Sequence, residues 1–280
     1  MEHFRRGDLT FDVRDAGPPD GPVVVLLHGF PQHNDSWNAV IDRLTSAGYR
    51  CLAPNQRGYS SGARPTRRRD YRIPELVADL GALIDASGAR RVHVVGHDWG
   101  AAVAWTAAAQ HPERLVTVSP ISVPHPAAFL KSFTNSRQAL ASWYMYFFQL
   151  PRIPEWLLMR RNGAIVSELL RRSGQTPAAA ERDARAMREP GALTAAINWY
   201  RAMPLSNPRA IAQKISVPTL YVWSDQDTAL LPKAAHDTAR YISGEYRFET
   251  LPEVSHWIPD EQPDKLADLL LDWFAAHPAG

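Results

Sequence analysis

One stretch of this chain leaves little choice of fold. Val94-Val95-Gly96-His97-Asp98-Trp99-Gly100-Ala101-Ala102 carries an apolar, β-branched run directly into Gly-X-Asp-X-Gly and then into small residues. With no room for a loop, the chain must leave a buried strand and enter a helix within one tight turn. Side chains at the two flanking positions would clash there, so both are glycine, and the central residue is held in a strained backbone conformation. Ala101, Ala102 and Ala104 let that helix lie close to a sheet. A buried strand joined at once to such a helix is a unit of a parallel α/β sheet.

The rest of the chain repeats the unit. Residues 9–13 alternate as a half-buried strand does, and residues 15–22 are dense in turn formers. Val23-Val24-Val25-Leu26-Leu27 is continuously apolar, as a parallel strand covered on both faces is. Asp35-Ser36 is expected to cap a helix over residues 37–47 that Gly48 ends. Further strands are expected at 49–53, 92–95 and 115–118. Helices are expected at 99–111 and at 73–86, where Leu76, Leu80, Leu83 and Ile84 share one stripe. The alternation resumes with strands at 219–223 and 246–251 and a closing helix at 262–276. Between the two parts no strand pattern is evident, and Pro151, Pro154, Pro177, Pro190 and Pro204 joint a helical segment. The expected organisation is a core of residues 1–123 and 210–280 with a helical cap inserted at 124–209.

Composition excludes several classes. A chain of 280 residues, 45% hydrophobic, buries a core without disulfide or metal staples. A net charge of +2 gives no field for nucleic acid or an acidic ligand, and Arg67-Arg68-Arg69 reads as a solvated run. The single cysteine, Cys51, lies in a strand pattern and excludes an intramolecular disulfide or a cysteine-based zinc site. No apolar run approaches the roughly 18 residues of a membrane span, and the N-terminal residues do not resemble a signal peptide. The expectation is a cytoplasmic protein with no membrane or nucleic-acid partner, self-association as a homodimer being left open. Nine tryptophans and nine tyrosines are a surplus, and several cluster between Trp143 and Tyr200.

Asp98, at the centre of the turn, decides the chemistry. A carboxylate is charged at neutral pH and needs no base to activate it. On an ester carbonyl it would give an anhydride; on a saturated carbon with a leaving group it gives an alkyl ester. Merely capping the next helix would not call for two flanking glycines. Hydrolysing the ester then takes an activated water and donors for the oxyanion on the Asp98 carbonyl. Among ten histidines, His256 follows the last strand pattern and precedes the last helix. His97 adjoins Asp98 in the chain, and neighbours on such a turn point apart. Ser224-Asp225-Gln226-Asp227 offers two carboxylates to orient a histidine, whereas Ser119-Pro120-Ile121-Ser122 offers none. Backbone oxyanion donors are expected at Trp99 and at Phe30, in His28-Gly29-Phe30-Pro31. One such donor lowers a barrier by ~3 kcal/mol.

Together these residues resemble the α/β-hydrolase fold family, and within it the epoxide hydrolases, over nearly the whole chain. His28-Gly29-Phe30-Pro31 is similar to their oxyanion motif. Asn55-Gln56-Arg57-Gly58-Tyr59 is similar to a loop that usually begins with aspartate. Gly96-His97-Asp98-Trp99-Gly100 resembles the elbow that epoxide hydrolases share with haloalkane dehalogenases. The resemblance implies an α/β architecture with a mainly parallel eight-stranded sheet flanked by helices, and a helical cap. It implies a triad in the order nucleophile, acid, histidine, hence His256 as base. The family's Gly-X-X-Asp pattern favours Asp227 over Asp225, with Ser224 standing for the glycine.

The leaving group separates the two enzyme classes. An epoxide leaves as an alkoxide that must be protonated, and epoxide hydrolases carry two cap tyrosines for this. Trp143-Tyr144-Met145-Tyr146-Phe147-Phe148-Gln149 resembles the segment with the first, which implies Tyr144, with Tyr146 as fallback. Ile197-Asn198-Trp199-Tyr200-Arg201 resembles the segment with the second and implies Tyr200. Substrate contacts are expected from His28, Pro31, Trp99, Tyr144 and Tyr200. Trp143, Phe147, Phe148 and Trp156 read as packing of the cap. The implied reaction converts an epoxide and water to a vicinal diol through an ester on Asp98, with no cofactor and no metal. A haloalkane dehalogenase would use the same Asp-His-Asp set, but Phe30 stands where many of those enzymes carry asparagine or glutamate. A non-catalytic ligand-binding protein on this fold is the alternative from another class.

Overall fold

The computed structural model describes residues 1–206 and 213–279. Eight strands form one sheet: β1 (His3–Arg6), β2 (Leu9–Ala16), β3 (Val23–Leu27), β4 (Arg50–Pro54), β5 (Val92–His97), β6 (Leu115–Ile121), β7 (Thr219–Ser224) and β8 (Tyr246–Leu251). Their order is β1-β2-β4-β3-β5-β6-β7-β8. The pairs β1–β2 and β2–β4 are antiparallel; the others are parallel. This is the α/β, mainly parallel eight-stranded sheet expected.

Helices α1 (Asn38–Ser46), α2 (Ile73–Ser87) and α3 (Trp99–Gln110) follow the strands of the first half. Side chains along β3 alternate between two cores. Val23, Val25 and Leu27 pack with α2 and α3, while Val24 and Leu26 pack with α1 and the C-terminal helix. Because both faces are covered, β3 is apolar without alternation. Cys51 is buried in β4, and burial pushes its thiol up to about 12, which leaves it inert.

One strand carries no pattern in the sequence, and one local expectation is corrected. Strand β1 reads His3-Phe4-Arg5-Arg6 and shows no apolar run; it forms because Phe4 stacks on Phe11 at 4.6 Å as the two strands pair. Helix α1 begins at Asn38 after a 3-10 turn over Asn34–Trp37, and neither Asp35 nor Ser36 caps it. The Ser36 hydroxyl instead donates to the His33 carbonyl at 2.8 Å.

Between β6 and β7 the described residues form no strand. They form α4 (Pro126–Asn135), α5 (Gln138–Ala141), α6 (Trp143–Phe147), α7 (Ile153–Leu158), α8 (Ala164–Arg172), α9 (Pro177–Ala186) and α10 (Ala192–Ala202). The expected boundary at 209/210 lies outside the described residues. The Trp199 indole N–H donates to the Arg57 carbonyl at 2.8 Å and ties α10 to the loop after β4. Arg57 is itself held by Asp79 through two bonds of 2.7 Å. Not all the aromatics pack as expected: Trp143 is 61% and Trp156 64% exposed. Helix α6 buries no residue of its own, Phe148 just after it is buried, and α7 buries Pro154 and Leu158.

After β7 come α11 (Pro232–Asp237), α12 (Ile258–Glu261) and α13 (Pro263–Ala276). No helix among the described residues is long and apolar enough to cross a membrane. Strand order brings the loops that matter to one edge. The chain passes from β3 to β4 on one side and to β5 on the other, so the loops after β3 and β5 part and open a crevice. Leu27 is in register with Gly96, so the residues that follow each strand face one another. Ser224 is in register with Leu251, so the loops after β7 and β8 emerge side by side.

Candidate active site

Asp98 sits between β5 and α3 with φ 51° and ψ −119°, a conformation rare for a residue with a side chain. The flanking glycines make it feasible. A Cβ on Gly96 would overlap the Gly100 carbonyl, and one on Gly100 would overlap the Leu27 carbonyl. The Asp98 side chain makes no capping bond to α3. It turns to the loop after β3, where the Phe30 N–H donates to Asp98 Oδ1 at 2.7 Å. Gly29 lies so close that a Cβ there would overlap the carboxylate.

His256 and Asp227 arrive from the far strands. His256 Nδ1 lies 2.7 Å from Asp227 Oδ2, and His256 Nε2 lies 3.6 Å from Asp98 Oδ2. Asp227 Oδ1 accepts the backbone N–H groups of Ala229 and Leu230 at 2.8 and 2.9 Å, which fixes the carboxylate. Asp225 is exposed and accepts the Glu253 N–H at 2.8 Å, away from the histidine. The fold thus brings together Asp98, His256, Asp227 and the Phe30 amide, and leaves Asp225 out.

The three charged groups are coupled. Burial draws the His256 pKa down, but Asp227 and Asp98 outweigh it and push the imidazole up to about 10. Burial draws Asp98 up, but the charged His256, then His97 and the Phe30 amide, hold it below the ordinary carboxylate value. The resting state is an ion pair with one proton on His256. Unfolded, that proton leaves near pH 6.5; folded, it leaves near pH 10. The stabilisation from this linkage is fully present below pH 6.5 and is lost as pH rises through 10. The urea midpoint is therefore expected to fall between pH 6.5 and pH 10, and to fall less in Asp227→Asn, where one of the two anions is gone. Parallel slopes in the two proteins would refute the coupling.

His97 faces away from this pair. Its Nδ1 lies 2.9 Å from Gln32 Oε1 and its Nε2 lies 2.9 Å from the His256 carbonyl oxygen. Burial, then the charge of His256, lowers it to about 4, and both of its nitrogens are already engaged. Gln32 continues to Asp260 at 2.8 Å, and Arg182 of α9 reaches Asp260 at 3.0 Å. This chain ties the His256 loop to the helices between β6 and β7. Gln32 carries no motif, and its partners lie 65 and 228 positions away, so no sequence signal singles it out.

A cavity of about 200 Å³ opens over Asp98. Trp99, Tyr144 and Tyr200 line it, as expected, along with Phe129, Met145 and Leu230, apolar residues that no motif marks. The Tyr144 and Tyr200 rings stand edge to face at 5.9 Å, and Tyr200 meets Trp99 at 5.1 Å and Phe30 at 5.3 Å. Burial, and then the charge of Asp98, raises both tyrosines above their ordinary value, so both hydroxyls hold their protons. Tyr146, the fallback, is 60% exposed and is not among the lining residues. His28 and Pro31 do not reach the cavity wall either. His28 is buried, lowered by burial to about 3, and accepts the Gln56 N–H on Nε2 at 3.1 Å. It shapes the loop that presents Phe30; expecting it at the substrate mistook a turn residue for a contact residue.

Residues 22–263 match the alpha/beta hydrolase fold family. The chain is 38% identical over 275 residues to AB hydrolase superfamily protein YfhM of Bacillus subtilis, covering 95% of this chain and 94% of that protein. It is 32% identical over 303 residues to Epoxide hydrolase A of Mycobacterium tuberculosis, covering 93% and 92%. The crystal structure of Epoxide Hydrolase A from Mycobacterium thermoresistibile superposes with a TM-score of 0.85 at 25% identity, over 99% of this chain and 98% of that one. The chain belongs to the α/β-hydrolase fold family, in the group of the epoxide hydrolases.

Proposed function

We propose that this protein hydrolyses an epoxide to a vicinal diol through a covalent ester on Asp98. One observation carries the reading: a single apolar cavity holds an ionised carboxylate at its floor and two protonated tyrosines, Tyr144 and Tyr200, in its wall. The helices that supply the tyrosines act as the cap over the core.

The steps follow from the geometry. Asp98 Oδ1 is held by the Phe30 amide, which leaves Oδ2 to attack an epoxide carbon. The ring C–O bond breaks as the new C–O bond forms, and the ring oxygen takes a proton from Tyr144 or Tyr200. An alkoxide is a stronger base than a phenolate, so the transfer runs downhill even from a tyrosine of raised pKa. Attack also consumes the charge of Asp98, one of the influences that raise both tyrosines, so they become better acids as the alkoxide forms.

The same loss of charge removes one of the two anions that hold the proton on His256. His256 then sheds it, the proton restoring the tyrosine that protonated the ring oxygen, and acts as base toward water. The 3.6 Å between Nε2 and Oδ2 is wide for a direct bond and suits a bridging water once the ester has formed. Water attacks Asp98 Cγ, and the oxyanion on Oδ1 rests on the amides of Phe30 and Trp99. The ester bond breaks, the diol takes the proton and leaves, and Asp98 is a carboxylate again with one oxygen from water.

A single turnover in heavy-oxygen water tests the ester. The first diol is expected to carry unlabelled oxygen from Asp98; solvent label in that first diol would sink the covalent route. The tyrosines have their own test. The double variant Tyr144→Phe/Tyr200→Phe is expected to lose about a thousandfold or more in kcat on an epoxide, each single variant keeping part. Full turnover by the double variant would remove the proposed donors. Halide release from a bromoalkane at a comparable rate would shift the assignment to dehalogenation.

A further inference from the structure

Among the described residues, every large apolar side chain left exposed lies between β6 and β7. Six of them are Leu140, Trp143, Tyr146, Leu150, Ile153 and Trp156. Along the chain they recur every three or four residues, on α5, α6 and α7 and, for Leu150, on the turn between α6 and α7. The inner side of the same stretch is taken: Ser142, Phe148 and Leu158 are buried, and Tyr144 and Met145 line the cavity. The stretch is therefore apolar on two sides, and among the described residues only one of them has a partner.

Charge identifies the missing partner. Residues 126–172 carry seven basic side chains, Lys131 and six arginines from Arg137 to Arg172, against two acids, Glu155 and Glu168. That local +5 exceeds the +2 of the whole chain. All seven basic residues are exposed. Both acids are already engaged, Glu155 by Arg201 at 2.6 Å and Glu168 by Arg172 at 2.7 Å. Arg160 lies over the Trp156 ring at 4.9 Å, so cation and indole share one spot. Tryptophan, tyrosine and leucine among solvated arginines suit the boundary between lipid headgroups and acyl chains, rings inserted and guanidinium groups on phosphate. A second copy of the chain suits it poorly. A two-fold contact would bring Arg137, Arg152, Arg160 and Arg161, which flank α5 and α7, up against their own copies.

We propose that the outer face of α5, α6 and α7 docks on an anionic lipid surface. Net charge and the lack of a spanning run speak against a membrane partner only on average, and neither registers a charge gathered in one segment. Tyr144 and Met145 of α6 line the cavity, so docking brings the cavity next to the layer in which an apolar substrate dissolves. The docking does not depend on which reaction Asp98 performs.

The test is cosedimentation of the full chain with vesicles of phosphatidylcholine mixed with phosphatidylglycerol, and with vesicles of phosphatidylcholine alone. The mixed vesicles are expected to bind it, less so at high salt, and neutral vesicles to bind it weakly. Trp143→Ala/Trp156→Ala is expected to weaken binding about tenfold. Arg152→Glu/Arg160→Glu/Arg161→Glu is expected to weaken it about a hundredfold. None of these residues lines the cavity, so both variants should keep the wild-type circular dichroism and the turnover of a water-soluble substrate. No binding to mixed vesicles would overturn the proposal, as would undiminished binding by both folded variants. A dimer seen by sedimentation equilibrium, lost in the tryptophan variant and accompanied by no vesicle binding, would assign the face to a second copy instead.

Discussion

Asp98→Asn is expected to lower kcat by at least about four orders of magnitude while the fold survives. Asparagine keeps the shape of the side chain and its carbonyl oxygen, so the Phe30 amide retains its acceptor. The strained turn is set by Gly96 and Gly100 and does not depend on the carboxylate. What goes is the charge, and with it both the nucleophile and one of the two anions that raise His256. Two readings on the same protein are therefore tied together. Turnover collapses, and the His256 pKa, followed by nitrogen-15 NMR of the imidazole, drops from about 10 toward the ordinary range. A variant that still turns over within tenfold of wild type would show that Asp98 is not the nucleophile. A variant that is inactive with an unmoved imidazole would show that the ion pair is not coupled as the distances require.

The parts of this protein that were legible in its sequence are those in which local chemistry and tertiary role coincide. Strand β3 is covered on both faces, so burial writes itself as an unbroken apolar run. The turn at Asp98 needs glycine on either side whatever surrounds it. Strand β1 was hidden because its single inward residue, Phe4, has meaning only against Phe11 of the next strand. Asp35 and Ser36 look like a helix cap, but the 3-10 turn before α1 takes their place.

The helices between β6 and β7 show the limit most clearly. Tyr144 and Tyr146 are two positions apart, nearly opposite on a helix, so only one of them can face the cavity. Residue type does not say which; the family-like context favoured Tyr144, and that is the residue in the cavity wall. The opposite error occurred at Trp143 and Trp156. The usual inference that an apolar side chain points inward assumes that the outer face is polar, and on α6 and α7 it is not. The link from His97 through Gln32 to Asp260 was illegible for a different reason. Each bond joins residues far apart in the chain, and only the strand order brings them to one edge.

The variant His256→Gln is expected to divide the reaction in two. Glutamine cannot take a proton from water, so the ester on Asp98 should form and persist. One equivalent of epoxide is consumed, and steady-state turnover falls by at least about four orders of magnitude. The first step slows as well, in a way that pH reveals. Without the imidazolium, the burial that draws the Asp98 pKa upward is no longer opposed by its strongest partner. Asp98 then holds a proton more readily, and adduct formation should accelerate as pH rises and the carboxylate ionises. Intact-protein mass spectrometry reads the outcome and also identifies the leaving group. Opening an epoxide expels nothing, so the adduct adds the full mass of the substrate to the chain. Displacement of a halide would add that mass less the hydrogen halide. Disappearance of epoxide over many turnovers with no adduct at any pH would mean that water attacks the substrate directly, and would remove the ester from the mechanism.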